Sequence, residues 1–114
     1  MKIGVSLINF KIRNISELTH LMNEIEKLSK TFNVFELPLS KTILKENLIF
    51  NNFVEKHKID VYFHSEKKIV FTESEVLFLM YFYKKVKCKG IIIHSLECFN
   101  KKSMKNIIKK SRLF

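Results

Sequence analysis

Apolar and polar positions along this chain follow two rhythms that take turns. Four times a short apolar run of strand type is followed by a stretch whose apolar residues recur every three or four positions. Lys2 to Leu7 predicts a first strand, with Ile3, Val5 and Leu7 apolar. Asn14 then offers an N-cap, and Glu17 three residues on completes a capping box. Ile15, Leu18, Leu21, Met22, Ile25 and Leu28 predict a helix from Ser16 to Lys30. The second strand runs from Asn33 to Leu39, with Pro38 suited to a strand end because it lacks a ladder donor. Ser40 can cap the next helix, whose stripe is Ile43, Leu44, Leu48, Ile49 and Phe53, with Asn51-Asn52 as a weak point. Asp60 to His64 forms a third strand, and Thr72 with Glu75 makes a second capping box ahead of an apolar helix from Val76 to Val86. Lys89-Gly90 turns into a fourth strand, Ile91 to His94, and a last helix is expected from Lys101 to Lys110. The continuous Ile91-Ile92-Ile93 run fits a strand covered on both faces.

This βαβαβαβα alternation predicts an α/β fold: four βα units on a parallel sheet with right-handed crossovers. Four units of this length make half of a (β/α)8 barrel, in a single partial domain covering residues 1–114. A doubly wound open sheet would compete, but the loop after strand one, Ile8 to Arg13, has no glycine. The chain holds only Gly4 and Gly90, which excludes a P-loop or dinucleotide fingerprint.

Chemistry gathers at the strand ends. Two strands close on the same pair of residues, His64-Ser65 and His94-Ser95, and the second carries Glu36 near the matching place. Glu36 and His64 are 28 residues apart, and His64 and His94 are 30, about one βα unit each. Polar residues recurring at the C-terminal ends of consecutive parallel strands converge on one rim, where such sheets carry their sites. Two imidazoles and a carboxylate are donors suited to Zn²⁺ or Mn²⁺. The plainer alternative is a pair of strand-end histidines bonded to backbone carbonyls. Glu66 and Glu97 are further candidate donors, whereas His20 and His57 fall on helical stretches and read as surface residues. Ser65 and Ser95 follow the histidines directly, so they face the other way and make poor nucleophile partners for them.

Composition changes this picture in one respect. The net charge is +10, with lysine far in excess of arginine. Residues 1–83 are nearly balanced at +1, while residues 84–114 carry +9. Lys84, Lys85, Lys87 and Lys89 close a helix, where cations offset its dipole, but a basic segment can also attract a polyanion. The longest apolar run, Val76 to Tyr83, is eight residues, against about 20 for a membrane span. No signal peptide pattern is visible, and Cys88 and Cys98 fit neither a disulfide framework nor a zinc motif, so free thiols in the cytoplasm are expected.

The order Lys2-Ile3-Gly4-Val5-Ser6-Leu7, Phe35-Glu36-Leu37, Tyr62-Phe63-His64 and Ile91-Ile92-Ile93-His94 resembles the xylose isomerase-like TIM-barrel superfamily. That group includes sugar and sugar-phosphate isomerases and epimerases, and AP endonuclease family 2. The resemblance rests on order and spacing, spans nearly the whole chain, and covers the N-terminal half of such a domain. It implies His64 and His94 as metal ligands and Glu36 as a catalytic pocket residue. It also implies a divalent metal, Zn or Mn, and a sugar-type substrate or, in the endonuclease branch, abasic DNA. Strand one reads Gly4-Val5-Ser6 without a histidine, and Ser95-Leu96-Glu97 stands where a proline-containing stretch is usual; the first departure favours the isomerase branch. The ligands of the later strands have no counterpart before Phe114. A half barrel leaves two open edges and an apolar inner face, which predicts a truncated remnant inactive by itself, self-association or pairing with a complementary C-terminal half, or a non-enzymatic interaction module.

Overall fold

In the computed structural model, residues 4–65 and 72–93 are described. They form β1 (Gly4–Ser6), α1 (Ile15–Leu28), β2 (Val34–Pro38), α2 (Lys41–Lys45), α3 (Asn47–His57), β3 (Asp60–His64), α4 (Glu73–Lys85) and β4 (Gly90–Ile92). The four strands make one parallel sheet in the order β1-β2-β3-β4. The expected last helix, the loop around Glu66, and His94 lie outside the described residues.

Sequential order in a parallel sheet has a geometric consequence. Right-handed crossovers that all step the same way put every helix on one face. The register confirms which side chains share it: Val5 stands beside Phe35, Phe35 beside Val61, Leu37 beside Phe63, and Phe63 beside Ile91. These are the strand residues that pack into the core with Leu18, Leu21 and Ile25 of α1, Phe50 and Val54 of α3, and Phe82 of α4. Phe63 lies at the centre, 5.8 Å from Phe50 and 4.8 Å edge-on to Phe82 between ring centroids. The alternate strand residues, among them Ser6, Val34, Glu36, Tyr62, His64 and Ile92, belong to neither apolar cluster. The fold is thus α/β, a singly wound parallel sheet built from consecutive βα units.

Local signals explain most boundaries. Asn14 accepts the Glu17 N–H at 2.9 Å, as the spacing predicts, but the Glu17 carboxylate returns to the N–H of Arg13 rather than to that of Asn14. The Thr72–Glu75 box forms with both reciprocal bonds. The Asn51-Asn52 pair does not break its helix. The interruption comes earlier, at Glu46 (φ −101°, ψ 36°), which separates α2 from α3. Asn51 instead uses its side-chain amide as a clasp, donating to the Lys85 carbonyl at 3.0 Å and accepting the Lys87 N–H at 2.7 Å. β4 is shorter than the apolar run suggested, and its three residues are all half-buried.

Candidate functional site

Glu36 and His64 arrive at one place because the ladder puts them there. Glu36 is level with Tyr62, and Pro38 with His64, so the two side chains are diagonal neighbours on adjacent strands. Both belong to the face turned away from the helices. The Glu36 Oε2 to His64 Nε2 distance is 3.1 Å, with the imidazole 13% and the carboxylate 38% exposed. Ser6 flanks Glu36 on β1, and Ile92 flanks His64 on β4. The His64 carbonyl also accepts the Leu39 N–H, which fixes the backbone at the end of β3.

A carboxylate touching an imidazole can do two things. It can hold the ring in one tautomer for proton transfer, or both can turn their lone pairs on one cation. Two donors each about 2.1 Å from a metal ion stand roughly 3.0 to 3.4 Å apart in octahedral or tetrahedral geometry. The observed separation fits that spacing. It supplies two donors where a catalytic site needs three. No cluster of three or more His, Cys, Asp or Glu side chains suited to a metal occurs among the described residues. Of the expected site, the structure brings Glu36 and His64 together. His94, like Glu66 and Glu97, lies outside the described residues. His20 is exposed and stacks with Phe10, while His57 is half-buried against Phe53, 4.4 Å between ring centroids.

Compared with protein-family models, curated proteins and solved structures, the chain matches none. No helix among the described residues is long and apolar enough to cross a membrane.

A second feature escaped the sequence reading. A cavity of about 660 Å³ opens at the same end of the sheet but on the helix side. The loop from Phe10 to Arg13, the segment Pro38 to Lys41, Ser65, and the first turns of α4 line it. Ser40 ties this region together, donating its hydroxyl to the Ile12 carbonyl at 3.0 Å while accepting the N–H groups of Thr42 and Ile43. Arg13 donates through Nε and Nη2 to Glu17, and that bond holds the Glu17 carboxyl below its usual range. Only the buried state of Ser40 and Ser65 marks this place as special, and burial of loop residues leaves no periodic trace in a sequence.

Proposed function

We propose that this chain supplies the ligand-bearing half of a divalent-metal site acting on a sugar-type substrate, as in isomerases and epimerases. Glu36 and His64 are two of its donors and His94 the third. The observation that carries this reading is the 3.1 Å approach of the Glu36 carboxylate to the His64 imidazole at the C-terminal ends of parallel strands. A Zn²⁺ or Mn²⁺ ion held there would polarise a sugar carbonyl or hydroxyl. Glu36, the more exposed of the pair, reaches toward substrate, while His64 is anchored between Pro38 and Ile92. Four further strands, from a second copy or a complementary half, would close the site from above.

Metal analysis of the purified chain tests the assignment. Bound Zn or Mn should fall at least several-fold in Glu36→Gln, His64→Ala and His94→Ala, and unchanged content in all three would overturn it. Nicking of an abasic duplex with Zn²⁺ or Mn²⁺ present would move the substrate from sugar to DNA.

The sheet face that no described helix covers supports a second, non-enzymatic reading as an interaction module. β1 and β4 each offer an edge unpaired among the described residues, and such edges promote association. Light scattering across a concentration series should reveal growth in mass; a monomer throughout would remove this reading.

A further inference from the structure

Glu36 has a hydroxyl-bearing neighbour on either side. The register sets Ser6 of β1, Glu36 of β2, Tyr62 of β3 and Gly90 of β4 at one level of the sheet, one step below His64. Side chains alternate along a strand, so Ser6, Glu36 and Tyr62 share the face that no described helix covers. Adjacent strands lie roughly 4.8 Å apart, which makes the three groups contiguous.

Tyr62 and Gly90 are complementary. A Cβ on Gly90 would stand 3.6 Å from Tyr62 Cδ1 and 3.8 Å from Cε1, so the phenol lies against the bare backbone of β4. The missing side chain leaves a notch that the ring occupies, on the side of β3 opposite to Glu36. Tyr62 is half-buried yet belongs to neither apolar cluster, and no described residue hydrogen-bonds its hydroxyl. The four strands carry no lysine or arginine, so this row is suited to hydroxyl groups and not to an anion.

We propose that Tyr62 is a sugar-binding residue of the site built on Glu36 and His64, with the Gly90 notch holding its ring in place. The ring packs on sugar C–H groups, and the phenol hydroxyl bonds a substrate hydroxyl. This inference rests on the metal-site reading and narrows the substrate to a neutral, unphosphorylated sugar.

Tyrosine absorbance provides a direct readout, because the chain has no tryptophan and three tyrosines. The other two, Tyr81 and Tyr83, are half exposed on α4. Titration of the Mn²⁺-loaded full chain with D-glucose and with D-fructose should give a saturable tyrosine difference spectrum with at least one of them. That spectrum should persist in Tyr81→Phe and vanish in Tyr62→Phe. Calorimetric affinity for the same sugar should fall about fivefold in Tyr62→Phe, the loss expected for one hydrogen bond, with bound Mn unchanged. Gly90→Val, which fills the notch, should weaken binding as well, and it decides the matter if circular dichroism shows Tyr62→Phe unfolded. Retained Mn with no tyrosine perturbation by either sugar, or unchanged affinity in the folded variants, would overturn the role of Tyr62 alone. Failure of the native chain to retain Mn or Zn would instead overturn the metal site and this inference with it.

Discussion

Phe63 shows how much one side chain can carry in a sheet of this size. It is fully buried, joins the aromatic rings of α3 and α4, and sits one residue before the candidate ligand His64. Truncation in Phe63→Ala should cost about 3–5 kcal/mol by urea unfolding, because the aromatic neighbours on both sides limit collapse into the void. The Glu36–His64 contact is of another kind. With the carboxylate more than a third exposed, solvent screening leaves it at most about 1 kcal/mol, so its value is positional and not structural. Cys88 stands between these cases. Burial pushes its thiol up to about 11, even though a bond from the Gly90 backbone works the other way. The sign follows directly: folding favours the protonated thiol, so this contribution is complete below the ordinary thiol pKa near 9 and is lost as pH rises through about 11. Alkylation by iodoacetamide at pH 8, mapped by peptide, should therefore be markedly slower at Cys88 in the native chain than in urea; equal rates would contradict the burial.

At the scale of the element, ends matter more than interiors. α3 stops at Lys58, the one non-glycine residue with positive φ among those described (φ 52°, ψ 47°). A side chain there opposes the left-handed conformation, so Lys58→Gly should raise stability by about 0.5–1 kcal/mol in thermal or urea unfolding. Removal of the Thr72 hydroxyl in Thr72→Ala should lower it by about 1 kcal/mol, since that hydroxyl both accepts the Glu75 N–H and donates to the Glu75 carboxylate. The Thr72 cap follows from residue type and spacing, and so do the four strands, because strand period and helix period differ plainly in the apolar pattern; nothing in its residue type marks Lys58. The division of α2 from α3 does not. Glu46 ends a helix through its backbone angles alone, with no proline or glycine to signal it. Asn51 was equally opaque: an asparagine inside a helix reads as a weakness until the turn it clasps, 34 and 36 residues on, is in place. The same reasoning applies to the site. Glu36 and His64 were legible because donor type and strand phase are local, whereas the buried Ser65 depends on three loops meeting.

For the molecule as a whole, the distinctive property is that, among the described residues, helices cover one side of the sheet and not the other. Val34 and Val61 test this with the same chemistry on opposite faces, the first half-buried beside Gly4 and the second 1% exposed in the core. Exchange of each for threonine keeps the shape and adds a hydroxyl. Val61→Thr should cost about 1–3 kcal/mol, and Val34→Thr less than about 0.5 kcal/mol. Equal losses in denaturant unfolding would mean that the open side is covered. The strand order has a kinetic consequence as well. Every strand pairs with the next one in sequence, and β2 with β3 forms the longest ladder, five residues in register. Among the described strands no closure spans more than one connection, which keeps contact order low for a parallel sheet. Folding can then begin at the middle hairpin-free pair and spread outward one unit at a time, with β1 and β4 as the last to dock and the first to fray.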